Sequence, residues 1–208
     1  MRQNISLADM VKADCGGCEG CSQCCRGMGR SIILDPYDVY RLTTGLGKSM
    51  QELLATAVEL NVVDGVILPN LKMQGTKEAC AYLDTEGRCS IHPYRPGICR
   101  LFPLGRHYEN GGLFYFLQTG ECVKENRSKV KVSKWIDTPE LKRNEQFKLQ
   151  WHDLLSAMTD RVAGEDEGKQ REENLLLLRL FYLLPYEGTT DFYSQFTERM
   201  EHWNEQTG

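Results

Sequence analysis

The chain has 208 residues, of which 41% are hydrophobic and 9% aromatic, so it is long enough to form one globular domain with a real core. Its net charge is −4: residues 1–129 hold 15 Lys and Arg against 14 Asp and Glu, whereas residues 130–208 hold 10 against 15. A near-neutral first part and an acidic second part exclude the basic surface expected of a nucleic-acid-binding domain.

The longest apolar stretch is too short for a membrane span. It runs from Leu175 to Leu184, includes Arg179, and is about half of the roughly 20 residues that a transmembrane helix needs. Residues 1–14 show neither the apolar core nor the cleavage site of a secretory signal. These features predict a soluble protein of the reducing cytoplasm that does not contact a membrane.

The first third of the chain combines a cysteine-rich loop with two short helices. Residues 1–14 are expected to form a short helix or an arm, and residues 15–31 a loop rich in cysteine and glycine. Asp35, followed by proline, predicts the start of a helix that ends at a glycine ten residues later. Ser49 and Glu52 have the spacing of a capping box and predict a second helix.

The middle of the chain is predicted to form short antiparallel strands. Residues 62–74 are rich in β-branched residues, and residues 80–91 resemble a hairpin. Residues 101–108 and 113–117 are predicted strands, because Asn110-Gly111 between them is a strong signal for a two-residue hairpin turn.

The last third has helical periodicity. Apolar residues recur at helical intervals over 138–163, 169–184 and 191–204. We therefore expect an α+β protein, with a loop-rich cysteine module over 1–129 and a helical extension packed on it over 130–208. The helical part is expected to bury Trp151, the Leu175–Leu184 run, Phe192 and Phe196.

Nine cysteines dominate the chemistry of the sequence, and eight of them fall into two sets. The ninth, Cys15, lies one x-x step before the first set. The first set is Cys18, Cys21, Cys24 and Cys25, and the second is Cys80, Cys89, Cys99 and Cys122. A CxxC step lets two thiolates face one metal ion, and both zinc and iron–sulfur sites use it. We predict that the fold brings the two sets together around metal.

The metal itself is left open by the residues. An odd number of crowded cysteines without an export signal argues against a disulfide framework. Four thiolates leave a charge of −2 both on Zn²⁺ and on a four-iron cubane with a +2 core, so charge does not distinguish them. Adjacent cysteines in extended backbone point to opposite sides, so Cys24 and Cys25 could serve different metals or one could be structural. Iron–sulfur is slightly favoured, because the cysteines exceed the four that one zinc ion uses.

Three arginines lie close in sequence to the cysteines. Arg26, Arg95 and Arg100 are candidates for donating hydrogen bonds to metal-bound sulfur. They could equally form ordinary salt bridges, for example with Asp84. The one histidine close to a candidate ligand is His92, and we assign it no ligand role.

The cysteine-bearing part resembles a known family. The matching features are Cys18-x-x-Cys-x-x-Cys-Cys25, Cys80-x-Tyr-Leu-Asp, Cys89-x-Ile91, and Arg95-Pro-x-x-Cys99-Arg100. They resemble the YkgJ-type cysteine-cluster family, to which zinc or iron chelation is attributed, and the cysteine module of flagellin lysine methylases. The resemblance implies that the cluster cysteines are Cys18, Cys21, Cys24, Cys25, Cys80, Cys89, Cys99 and Cys122, with Cys15 outside the motif.

Three hypotheses of function follow. The first is a cytoplasmic protein that chelates iron–sulfur or zinc through its cysteines. The second, suggested by the methylase resemblance, is an enzyme whose cluster assists group transfer or redox chemistry. The third is a structural metal site that supports a scaffold, with the acidic helical tail as the docking surface for a protein partner. Radical-SAM, phosphate-loop, dinucleotide-binding, nucleophile-elbow and HExxH motifs are all missing from the sequence.

Overall fold

The computed structural model describes residues 4–16, 21–124 and 126–207. Within them the chain forms short antiparallel strand pairs and seven α-helices, which confirms the predicted α+β class. The strands, in chain order, are β1 (Met10–Asp14), β2 (Val58–Val63), β3 (Val66–Leu71), β4 (Met73–Gln74), β5 (Ala79–Cys80), β6 (Leu104–Glu109), β7 (Gly112–Leu117) and β8 (Ser128–Lys131). The helices are α1 (Pro36–Leu46), α2 (Met50–Thr56), α3 (Gly97–Leu101), α4 (Val132–Ile136), α5 (Leu141–Val162), α6 (Glu167–Leu178) and α7 (Phe192–Thr207).

The chain divides into two compact units, and each unit is built from two chain segments. The first, here called the cysteine unit, comprises Met1–Met28 and Met73–Gln150. The second, the helical unit, comprises Gly29–Lys72 and Trp151–Gly208. The expectation that residues 1–129 form a separate module stays a prediction.

In the cysteine unit, residues Met10–Asp14 form strand β1, so the helix expected as one possibility for residues 1–14 is wrong there. β1 pairs antiparallel with β8, and Asp14 lies opposite Ser128. The partner strand is distant in sequence, so no local pattern reveals the pairing. β6 and β7 form the expected hairpin around Asn110-Gly111, with Glu109 paired to Gly112. The strands and helices of this unit share a small core of Val11, Ala13, Leu101, Leu104, Tyr115, Val132 and Ile136.

In the helical unit, both predicted helix starts are confirmed. The side chain of Asp35 accepts a hydrogen bond from the Asp38 N–H at 3.0 Å, and the side chain of Asp38 accepts one from the Asp35 N–H at 3.2 Å. Ser49 and Glu52 form the same reciprocal box at α2. These caps satisfy backbone N–H groups that a helix leaves unpaired at its start.

The core of the helical unit is aromatic. Trp151, Phe192 and Phe196 are buried as expected, with 6%, 2% and 2% of their surfaces exposed. Phe181 lies at their centre, its ring 5.1 Å from that of Trp151 and 5.8 Å from that of Phe196.

The burial expected for the Leu175–Leu184 run holds for one face only. Leu177 and Phe181 are fully buried, whereas Leu175 and Leu184 are about half exposed, at 54% and 48%. The run is helical, and a helix packed on one side turns some of its residues to solvent. In the described part of the chain, no helix combines the length and apolar character that crossing a membrane requires.

Candidate metal centre

The end of the first cysteine set lies directly beside the start of the second. Gln23–Cys25 form one turn of 3₁₀ helix, and the chain then becomes extended at Arg26. Arg26 forms a β-bridge with Ala79, and the Gly27 N–H donates to the Glu78 carbonyl at 2.9 Å. Cys25 is therefore held next to the segment that carries Cys80.

Cys80 and Cys89 occupy two copies of the same local turn. The Leu83 N–H donates to the Cys80 carbonyl at 2.9 Å, and the His92 N–H donates to the Cys89 carbonyl at 3.2 Å. In each turn the N–H two residues after the cysteine donates to its sulfur, from Tyr82 to Cys80 and from Ile91 to Cys89. Hydrogen bonds of this kind stabilise a thiolate, which is the form that binds metal.

The loop between these two turns faces the first cysteine set. Asp84 accepts hydrogen bonds from the N–H groups of Glu86 and Arg88, at 3.0 and 2.7 Å, and so closes the loop. Gly87 has a φ of +75°, and a side chain there would lie 3.7 Å from the Ser22 hydroxyl. The loop therefore packs closely against the segment that carries Cys21 and Cys24.

Five thiols share one electrostatic neighbourhood. The Cys25 thiol donates a hydrogen bond to Cys24, which lowers the pKa of Cys24 to about 6 and raises that of Cys25. The charges of Cys80 and Cys99 also raise the pKa of Cys25. Burial raises the pKa values of Cys80 and Cys89, and the Cys24 charge adds to both, after the Cys89 charge in the case of Cys80. The structure thus brings part of the first set together with Cys80, Cys89 and Cys99.

Two buried donors beside these thiols have no acceptor among the described residues. They are the Arg95 Nε and the Tyr82 hydroxyl. Arg95 lowers the pKa values of Cys24 and Cys89, and burial together with the Cys80 charge raises the pKa of Tyr82 to about 12. A buried donor without a partner is costly, so these groups fit a site whose sulfurs are negatively charged. Tyr82 carries no ligand-type signal of its own, and only its place in Cys80-x-Tyr could have pointed to it.

The other two arginines have different partners. Arg100 is 8% exposed and donates to the backbone carbonyls of Pro93, Arg95 at 3.2 Å, and Asp137 at 2.8 Å. It therefore holds the turn that carries Arg95 and Cys99. Arg26 donates from Nε to the Ser22 hydroxyl at 3.4 Å.

Contacts within the described residues do not connect the other three predicted ligands, Cys18, Cys21 and Cys122, to these five thiols. Cys18 lies outside the described residues, and Cys21 and Cys122 are half-buried thiols. All eight described cysteines are thiols rather than disulfides. Among the described residues, no three Cys, His, Asp or Glu side chains are grouped closely enough to hold a metal ion as they stand.

The donor set and its hydrogen bonds define a cysteine-cluster domain, and comparison with known families agrees. Residues 17–131 match the CxxCxxCC family, described as "Putative zinc- or iron-chelating domain". The match covers more than half of the chain, so the chain belongs to this family. Searches with this chain found no matching curated protein and no matching solved structure.

Proposed function

We propose that the cysteine unit binds an iron–sulfur cluster or zinc, with iron–sulfur favoured. The proposed ligands are Cys18, Cys21, Cys24, Cys25, Cys80, Cys89, Cys99 and Cys122. The observation that carries the proposal is the shared neighbourhood of five thiols beside two buried donors that lack an acceptor. Family membership supports metal chelation independently.

The residues around the thiols have separate roles in this proposal. The N–H groups of Tyr82 and Ile91 stabilise the thiolates of Cys80 and Cys89. Arg95 supplies a compensating positive charge, and Arg100 positions Arg95 by binding its carbonyl. When bound, zinc would cross-link the turns, whereas an iron–sulfur cluster would also supply one-electron redox chemistry.

Thiolate ligands imply a reducing compartment, so we infer that the protein acts in the cytoplasm. The closer kinship with YkgJ-type proteins and with the flagellin methylase module belongs to the same proposal. The roles of enzyme and of docking scaffold would both rest on this metal centre.

The proposal is tested on protein purified without oxygen. We expect iron with an equal amount of acid-labile sulfide and a broad absorption band near roughly 400 nm. Zinc without sulfide would overturn the preference for iron–sulfur and leave chelation standing. Protein with neither metal would contradict the proposal.

Two cysteine-to-serine variants, one of a proposed ligand and one of a control cysteine, test the ligand set. Cys99→Ser should lose most of the bound metal, because its thiol lies in the shared neighbourhood. Cys15→Ser should keep it, because Cys15 lies outside the family match. Equal metal content in both variants would contradict the proposed ligand set.

A further inference from the structure

One edge of the β2–β3 hairpin in the helical unit is uncovered. β3 is covered on its outer side: the Ile67 N–H donates to Asn174 at 2.6 Å, and the Pro69 carbonyl accepts from the Leu34 N–H at 2.8 Å. The backbone groups of Ile67 and Pro69 therefore point away from β2.

The register then fixes where the opposite residues point. Val62 pairs with Ile67, and Leu60 pairs with Pro69. In an antiparallel ladder, the backbone N–H and carbonyl groups of two directly opposite residues point either both toward the partner strand or both away from it. The N–H and carbonyl groups of Leu60 and Val62 consequently point outward from β2, and none of the recorded bonds in the described part of the chain gives them a partner.

The side chains of the same two residues are exposed and apolar. Leu60 is 45% exposed and Val62 is 63% exposed, so this edge presents two large apolar side chains to solvent. Open strand edges are normally protected by lysine, proline or a bulge. β2 has none of these: its sequence is VELNVV, and it pairs with β3 in unbroken register.

The one charge in β2 is already neutralised within the chain. Glu59 lies 3.8 Å from Arg30, which also donates to the Asn61 side chain at 3.0 Å. Glu59 and Asn61 belong to the opposite face from Leu60 and Val62, because neighbouring strand residues alternate. An apolar edge thus remains without a net charge.

We propose that β2 pairs antiparallel with β2 of a second copy of this chain, which makes a four-stranded sheet across the dimer. Placing Leu60 opposite Val62 of the second copy aligns the outward backbone groups of both strands. In this register Asn61 faces its own equivalent and Glu59 faces Val63 of the second copy, so no like charges are opposed. A second copy fits because the strand is complementary to itself. The inference is independent of the metal centre.

The edge is short, so the dimer should be weak. A pair of six-residue strands buries less than the roughly 1,600 Å² of a standard interface. We therefore expect a dimer that dissociates on dilution.

The test is sedimentation of the full chain as purified at about 1 and about 100 µM, because a weak dimer forms only at the higher concentration. The wild type should shift from monomer to dimer, and the amides of Leu60 and Val62 should exchange hydrogen more slowly at the higher concentration. Val62→Lys should weaken dimerisation at least about tenfold, because lysine is a common protection of strand edges.

Two further variants separate edge pairing from other causes. Leu60→Pro removes an outward N–H and no hydrogen bond of the β2–β3 ladder, so it should abolish the dimer while that ladder remains. Leu175→Lys alters a similarly exposed apolar residue on α6 and should leave the dimer unchanged. Circular dichroism and metal content must match the wild type in every variant.

A wild type that stays monomeric at the higher concentration would overturn the proposal, and would leave the edge to a strand of a different protein. An equal loss of dimer in Leu175→Lys and Val62→Lys would overturn it as well, because the contact would then not be specific to β2.

Discussion

The cysteine unit and the helical unit are stabilised in different ways. In the helical unit, Phe181 is fully buried, and its ring lies about 5–6 Å from those of Trp151, Phe196 and Trp203. In the cysteine unit, the turns around Cys80 and Cys89 are held by backbone hydrogen bonds, and their thiols are only half buried. The comparison indicates that hydrophobic packing holds the helical unit, and we predict that the turns of the cysteine unit depend on metal binding.

Buried polar groups sharpen the contrast. In the helical unit, Arg199 donates to the carbonyls of Leu180, Leu184 and Pro185 at 2.7–3.0 Å. In the cysteine unit, the Arg95 Nε and the Tyr82 hydroxyl are buried without an acceptor among the described residues. Arg199 therefore finds its acceptors in the backbone of its own unit, as Arg100 does in the cysteine unit, whereas Arg95 and Tyr82 are donors that would fit charged sulfur.

Metal removal should have the largest effect on stability, and it should destabilise the cysteine unit alone. Structural zinc contributes about 10–16 kcal/mol to the folding of small zinc-dependent domains. We expect a chelator to accelerate amide exchange across residues 77–92, whose turns carry two of the proposed ligands. Amides of residues 174–184 should keep their protection. Hydrogen-exchange mass spectrometry measures both, and equal loss in the two segments would remove the contrast between the units.

Phe181→Ala should destabilise the helical unit by about 3–5 kcal/mol, because it leaves a cavity in the aromatic core. Urea denaturation followed by tryptophan fluorescence measures this change. Leu175→Ala is the matched control, since Leu175 is half exposed and should cost under about 1 kcal/mol. Similar losses in both variants would show that the aromatic cluster is not the source of stability.

Lys148→Met should stabilise the protein at neutral pH and less so at alkaline pH. Lys148 is 4% exposed, and burial lowers its pKa to about 7, below its unfolded value of about 10.4. Between these values the unfolded chain binds more protons, so wild-type stability rises with pH and the advantage of methionine shrinks. From pH 7 to 9 the difference in free energy of unfolding between Lys148→Met and the wild type should fall by up to about 2 kcal/mol, as measured by paired urea titrations. A pH-independent difference would contradict the lowered pKa.

The effect of Arg95→Gln should be confined to the metal centre. Replacing a residue that supports metal ligands typically lowers metal affinity 10–100-fold, or about 1.4–2.7 kcal/mol. Competition with a chelator measures the affinity. Arg88→Gln is the control, because Arg88 is exposed in the neighbouring loop. Unchanged affinity in Arg95→Gln would place the Arg95 guanidinium outside the sulfur environment.

Local elements were predicted well from sequence. The helix start at Asp35, the capping box at Ser49, the Asn110-Gly111 hairpin and the three long helices are all confirmed, although α5 begins at Leu141 rather than at 138. Each depends on neighbouring residues, whose backbone preferences act over a few positions. The proximity of Cys24 and Cys25 to Cys80, Cys89 and Cys99 agrees with the expectation that the two sets meet, and ligation itself stays a prediction.

By itself, the sequence determined the class of fold, the starts of α1 and α2, the hairpin turn and the cysteine chemistry, because these follow from local backbone preference and from the affinity of thiolates for metal. Only the tertiary structure decided the pairing of β1 with β8, the assignment of residues 29–72 to the helical unit and the burial of Arg95 and Tyr82 beside the thiols. These features join residues far apart in the chain. Their free energy comes from contacts that exist only after folding, and no short pattern records them.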